Sequence, residues 1–226
     1  PYHPSTKDFP GDVPANASRV SRTIEINGTF AGLPSGFGYS GARSAGRMST
    51  GLYAAAGEVL NVSFPSNIVG TGVDILIGAH TDNLWGKDTL SRHPLIYRTY
   101  SATSTAIQVG CAFGGTIYIR IPAGSTLGSF NVSIDNAVLA PYWVQGETDQ
   151  NLWNSTIRDY PAPWAEVESE FFILSVPSAD LRTLGTPDLT MDFWDQALSM
   201  EHNLSGFTPW PRVERATFDV QISAGW

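Results

Sequence analysis

A mostly β fold, a jelly-roll-like β-sandwich followed by a smaller mixed α/β segment, is the architecture this sequence predicts. Three observations point to it. From about residue 20 to 140, short apolar runs alternate with polar residues and are punctuated by Gly, Pro, Ser and Asn. Charged residues make up only 15% of the chain, against 22 glycines and 15 prolines, a bias that fits β structure better than helices. Past Pro141 the apolar period lengthens toward the helical one. The expected division is an extended arm over 1–20, a sandwich over 21–140 and an α/β segment over 141–226, packed as one unit with ample core in 226 residues.

The elements follow in order. "PYHPSTKDFPGDVP" carries too many prolines for a helix and resembles a processed start rather than a signal peptide. In "RTIEING", Ile24 and Ile26 alternate ahead of an Asn-Gly pair that reads as a turn. "GLPSGFGYSGARSAGR" is too glycine-rich for regular structure and reads as a loop. "EVLNVSF" sets Leu60, Val62 and Phe64 on one face, with Val59, Asn61 and Ser63 on the other. "VDILIGAH", "AIQVGCAF", "GTIYIRIP" and "SFNVSIDNAVLA" continue the strand pattern.

Beyond Pro141, "ETDQNLWNSTIRDY" reads as a helix capped by Thr148, with Asp149 in its first turn. "PAPWAEVES" opens with proline and reads as a short helix, and "FFILSVP" as a buried strand. "TPDLTMDFWDQALSMEHNLSGF" is the strongest helix, with Leu189, Phe193, Gln196 and Met200 on one face, widened by Trp194, Ala197 and Leu198, and Gly206 as its stop. "ATFDVQISAGW" alternates Phe218, Val220 and Ile222, the pattern of a half-buried strand.

A net charge of −8 argues against nucleic acid and anionic membrane as partners. No run of about 18 apolar residues is present to cross a membrane as a helix. The single cysteine, Cys111, allows no intrachain disulfide and, in "IQVGCAFGG", reads as a buried inert thiol. Six Asn-x-Ser/Thr sites, at Asn16, Asn27, Asn61, Asn131, Asn154 and Asn203, are more than chance supplies and predict a secreted glycoprotein. Asn61 and Asn131 fall in predicted strands and must therefore face outward.

Several phrases, in order, resemble the M60-like (enhancin-type) peptidase family: "STGLYAAAGEVLNVSFP", "ILIGAHTDNLW…RHPLIYRTY", "AFGGTIYIRIP", "PAPWAEVESEFFILSVPS" and "WDQALSMEHNL". Together with "FDVQISAGW" they cover roughly residues 48–226. In that family the last strand leads into a His-Glu-x-x-His helix, whose paired histidines hold zinc while the glutamate takes a proton from bound water. Here the histidines are His3, His80, His93 and His202, and no two are four residues apart. The expectation is a non-enzyme without catalytic zinc: either a fragment of a zinc peptidase directed at mucins or other glycoproteins, or a stand-alone protein that kept the family's front. The second is favoured, with the last strand covered by the N-terminal arm or by a second subunit in a homodimer.

Seven tryptophans are present. Most read as core packing. The sharper expectation places Trp143, Trp164 and Trp210, each beside or one residue from a proline, as walls of a pocket for a small aromatic ligand such as a pigment, or for a glycan ring. A structural glycoprotein without small ligand is the third possibility. His80, Asp82 and Asn83 in "GAHTDNLW" are candidate ligands of Ca²⁺ or Mg²⁺, against the simpler reading of an Asx turn beside a solvated histidine. Glu147 and Asp149, and the stripe of Asp188, Asp192 and Asp195, read first as helix-end and solvated acids and second as metal ligands. No Gly-x-Ser-x-Gly elbow or phosphate loop occurs.

Overall fold

A computed structural model describes residues 1–32, 44–206 and 213–224 of the chain. The sandwich is built from β1 (Val20–Phe30), β2 (Gly46–Ala54), β3 (Leu60–Ser63), β4 (Asp74–Ile77), β5 (Arg98–Ser101), β6 (Ala106–Val109), β7 (Gly115–Ile121) and β8 (Ser125–Leu139). All pair antiparallel, in the order β5-β4-β7-β2-β8-β3-β6, with β1 also on β8. The long β8 joins the two layers. It carries β1 along most of its length, β3 at residues 133–135, and β2 at Val138 and Leu139. The alternation read from sequence is what seals the interior: Leu60 and Val62 are buried while Asn61 and Ser63 are exposed.

The Asn-Gly pair expected to turn does not turn. β1 continues to Phe30, and the pair forms an irregularity in the ladder between Asn27 and Thr29, with the Asn27 side chain accepting from the Thr29 N–H at 2.9 Å. Glycine is required there for closeness: a Cβ on Gly28 would lie 2.7 Å from the Gly128 carbonyl oxygen and 2.8 Å from the Phe130 ring. The glycine-rich loop also ends sooner than expected. Residues 33–43 lie outside the described residues, but Gly46 and Arg47 already belong to β2.

A second, mixed sheet follows, ordered β12-β11-β10-β9 from β9 (Tyr142–Val144), β10 (Trp164–Glu168), β11 (Phe172–Pro177) and β12 (Glu214–Thr217). The stretch "PAPWAEVES" thus forms strand β10, not a helix. Trp164, Ala165, Glu166 and Val167 are all buried, and a run covered on both faces carries no amphipathic period to distinguish strand from helix. Helices α1 (Gln150–Ser155), α2 (Ser178–Leu181) and α3 (Asp188–Ser205) flank the sheet. Asp149, not Thr148, caps α1 by accepting from the Leu152 N–H at 2.8 Å, while Thr148 accepts from the Val144 N–H.

Helix α3 and its Gly206 stop, at φ 73°, form as expected, but the buried face is centred on the widening residues Trp194 and Leu198 and not on Leu189, Phe193 and Met200. Met191 and His202 are buried, Trp194 and Leu198 pack against the second core, and Leu189, Phe193 and Met200 are 75%, 62% and 63% exposed. The terminal alternation is inverted as well. Strand β12 ends at Thr217, and Phe218, Val220 and Ile222 are exposed. Inward contacts come from the polar residues between them: Asp219 to Arg92, Gln221 to Ser91 and Thr89, and Ser223 to Asp82.

The arm is more structured than predicted. Pro4–Lys7 makes one 3₁₀ turn, the His3 N–H donates to the Ala112 carbonyl at 2.9 Å, and Phe9 enters the sandwich core. Two main cores result. One fills the sandwich and includes Phe9 and Trp164, and the other gathers Trp143, Trp153, Val167, Phe172 and Met191 against the second sheet.

Candidate functional site

Where the second sheet meets β1 and β2 of the sandwich, a cleft of about 990 Å³ opens to solvent. Glu25 and Asn27 of β1 and Arg47 and Ser49 of β2 line one side; Tyr142, Glu147, Glu168 and Arg215 line the other. Strand order places them: β2 runs along the cleft from Gly46 to Thr50, and β9, β10 and β12 of the second sheet bring Tyr142, Glu168 and Arg215 to its other side.

A buried charge network lies beneath. Glu166 of β10 accepts at one carboxylate oxygen from the Tyr118 hydroxyl at 2.8 Å, the Ser175 hydroxyl at 2.6 Å and the Arg215 guanidinium. Arg215 also donates to the Ser49 hydroxyl at 2.9 Å and lies 4.9 Å from the centre of the Tyr118 ring. Burial alone would lower the Arg215 pKa, but Glu166, with the more distant Tyr118 and Glu168, holds it above its ordinary value. Tyr142 donates to Glu168. Burial pushes the Glu168 carboxyl up, and the nearby acids Glu166 and Glu147 add to it, outweighing the Tyr142 hydrogen bond and Arg215.

Arg47 differs from its neighbours. Its guanidinium donates to the Thr81 hydroxyl at 2.7 Å, and no carboxylate among the described residues lies within ion-pair range. Burial and the like charges of Arg215 and Arg120 lower its pKa, which leaves a cation in the cleft wall with donor capacity to spare. The cleft therefore presents guanidinium donors, hydroxyls and carboxylate acceptors together, the complement of a ligand rich in hydroxyls and bearing an acid group.

Of the residues singled out from sequence, His80, Asp82 and Glu147 line this cleft, the first two already bonded within the protein, and Trp143 and Trp164 lie elsewhere. Trp143 is sealed in the second core, edge-on to Trp153 at 5.4 Å, and Trp164 is sealed in the first, its Nε1–H donating to the Pro10 carbonyl at 2.7 Å. They sit in different cores and form no common pocket wall; Trp210 lies outside the described residues. His80 is buried, not solvated, between Phe9 and Trp164, its Nε2 2.9 Å from the Phe218 carbonyl. Burial pulls its pKa down to about 4. Asp82 is held by the Ser223 N–H and hydroxyl; burial pushes its carboxyl up, but those bonds and Arg92 outweigh it and keep it below the usual value. Asn83 makes the Asx turn, accepting from the Trp85 N–H at 3.0 Å. Each of the three metal candidates thus has its own protein partner, and Asp192 and Asp195 are likewise engaged, by Gln145 and by Ser169. Cys111 is buried and burial raises its pKa. All six sequon asparagines are exposed, Asn61 and Asn131 included.

Residues 15–135 match the family described as the N-terminal domain of M60-like peptidases, and residues 136–226 match Peptidase M60, enhancin and enhancin-like. The chain belongs to the M60-like peptidase family. Among relatives of this M60-like chain, a TRPM8 channel-associated factor homolog of Xenopus laevis is 37% identical over 207 residues, covering 91% of this chain and 22% of the relative. TRPM8 channel-associated factor 1 of Bos taurus is 39% identical over 181 residues, 79% of this chain and 20% of its own length. The chain thus spans about a fifth of these relatives. Solved M60 folds are similar at lower identity. The ZmpB metallopeptidase of Clostridium perfringens superposes with a TM-score of 0.65 at 14% identity, over 90% of this chain and 46% of that one. The ZmpC M60 catalytic domain of the same organism, solved with the sialyl T antigen, gives 0.62 at 13% identity, over 87% and 44%.

Zinc, which the M60 fold implies, finds no fitting donor set among the described residues. No group of three His, Cys, Asp or Glu side chains is placed to hold a metal ion, and His80 and Asp82 are committed to Phe218 and Ser223. The sequence shows no two histidines four apart.

Sequence reasoning missed Arg47, Tyr142, Glu168 and Arg215. Arg215 left a trace, a lone cation within an otherwise alternating strand in "RATFD". Arg47 left none, because it follows a glycine-rich run that reads as loop.

Proposed function

We propose that this M60-like chain binds the glycan of a glycoprotein in the cleft between its sandwich and second sheet, without cleaving the polypeptide. The observation that carries this reading is the cleft itself: about 990 Å³, open, and walled by Arg47, Tyr142, Glu147 and Glu168. The Arg47 guanidinium, with no carboxylate partner among the described residues, suits a sialic-acid-type carboxylate, and the acceptor carboxylates suit sugar hydroxyls. The relatives lend support by their own ligands, the ZmpC domain solved with the sialyl T antigen and the IMPa metallopeptidase of Pseudomonas aeruginosa with an O-glycopeptide.

Titration calorimetry with three peptides of one sequence tests the reading: sialylated core-1 O-glycopeptide, its desialylated form and the bare peptide. The sialylated form binds tightest, and Arg47→Ala, checked for an unchanged melt, weakens it at least tenfold while barely affecting the desialylated form. Equal binding of all three, or peptide cleavage after addition of zinc, would sink the proposal. A second reading, association with a membrane channel, draws on the 37–39% identity to proteins named for TRPM8. Co-precipitation with TRPM8 in the presence of saturating glycopeptide checks it and separates the two.

A further inference from the structure

We infer that the exposed face of α3 is a docking surface for a basic amphipathic helix of another polypeptide. Leu189, Phe193, Met200 and Leu204 are 75%, 62%, 63% and 90% exposed. Their spacings of 4, 7 and 4 put them on one stripe about 22 Å long at the helical rise. The opposite side of the same helix, through Met191, Trp194 and Leu198, packs on the second core. A helix apolar on both faces is ordinarily covered on both. In this one a single face is covered among the described residues, and isolated exposed apolar residues do not line up in this way.

Charge selects the occupant. The 18 residues of α3 contain Asp188, Asp192, Asp195 and Glu201 and no Lys or Arg. Around the helix, Asp192 borders the stripe, with Asp188 and Asp195 further round on the same side. An apolar ridge with an acidic edge is the complement of a helix whose apolar face is flanked by Lys or Arg, the amphipathic-helix mode of recognition. A second copy of this chain would oppose acid to acid across the contact, and an anionic lipid surface would be repelled likewise, so a foreign basic helix is favoured. The surface stands apart from the cleft, and none of the four stripe residues lines it.

The test uses the 226-residue chain prepared without N-glycans, since Asn203 of the Asn-Leu-Ser sequon is next to Leu204 on the stripe. The probe is a fluorescein-labelled 18-residue Leu/Lys peptide patterned as an amphipathic helix. A scrambled peptide of equal composition serves as control, and both are read by anisotropy at two salt concentrations. The patterned peptide binds, and added salt weakens it. Phe193→Ser with Met200→Ser weakens it at least tenfold, Leu189→Ser with Leu204→Ser does the same by an independent pair, and Asp192→Asn weakens it about threefold. All five changed positions are solvent-facing, so the melts stay close to that of the parent chain. Equal binding of the scrambled peptide would show attraction to net charge alone and overturn the inference. So would unchanged binding in both double variants, or a dimer in sedimentation that Phe193→Ser with Met200→Ser dissolves, which would make a second copy the occupant.

Discussion

His80 shows how far a single buried ring can set the behaviour of the chain. It lies between Phe9 and Trp164, and burial lowers its pKa from 6.5 to about 4. The unfolded chain takes up a proton near pH 6.5 that the folded chain refuses until about pH 4. Stability from this group is therefore complete above pH 6.5 and declines as pH falls toward 4. The loss at pH 4.5 relative to pH 7.5 is about 2–3 kcal/mol by linkage. Urea midpoints at those two pH values should differ accordingly in the parent chain and much less in His80→Gln, and an equal difference in both would remove His80 as the cause. A few residues away the reasoning turns on charge. Arg92 and Asp219 meet through two bonds of 2.7 Å, with side chains 0% and 4% exposed. Asp219→Ala strands a buried guanidinium and should cost about 3–5 kcal/mol. Replacing both partners, Arg92→Met with Asp219→Leu, should cost much less, and calorimetric melts of the two variants read the difference.

At the scale of the element, close approach decides what strand β1 tolerates. The Cβ of alanine at position 28 would meet backbone, the Gly128 carbonyl oxygen at 2.7 Å, which cannot swing aside as a side chain tip can. Gly28→Ala should lower stability by about 1–3 kcal/mol in urea titration, whereas Gly124→Ala, open around its Cβ but strained at φ 84°, reports backbone strain alone. These strands also mark where sequence was sufficient. In β3, and in β8 from Phe130 to Ile134, the period of two names the buried residues correctly, because one face is core and the other is water. It fails in β10, buried on both sides. It misleads in residues 218–223, where Asp219, Gln221 and Ser223 find hydrogen-bonding partners on the loop after β4 and the apolar residues are left outside. In α3 two apolar faces compete, and the one that wins is set by which fits the second core, a fact no local pattern contains. The cleft was illegible for the same reason: Arg47, Glu168 and Arg215 come from three strands far apart in sequence, brought together by sheet order alone.

Across the whole molecule, the two cores are tied by polar as well as apolar contacts, and that determines how the chain unfolds. Trp164 belongs to the second sheet yet packs in the sandwich core beside Phe9, and its Nε1–H is bonded to the arm at Pro10. Glu166 and Arg215 of the second sheet reach Tyr118 and Ser49 of the sandwich. Buried groups linked this way are costly to separate, because each side left behind would be an unpaired charge or hydroxyl. Both halves should consequently unfold together, with far-UV circular dichroism, which follows mainly the sandwich strands, and tryptophan fluorescence, which follows mainly the second core, tracing one transition. In Arg215→Ala the bridge is lost from both ends, Glu166 keeps a buried charge with only hydroxyl donors, and the second sheet is the half that carries it. The fluorescence midpoint should fall below the dichroism midpoint in that variant, whereas Arg19→Ala, which breaks a half-exposed pair with Glu58 at 2.6 Å within the sandwich, should leave the two probes coincident. Coincident midpoints in Arg215→Ala would mean that Phe9, Trp164 and the β8 junction couple the halves without help from the buried charges.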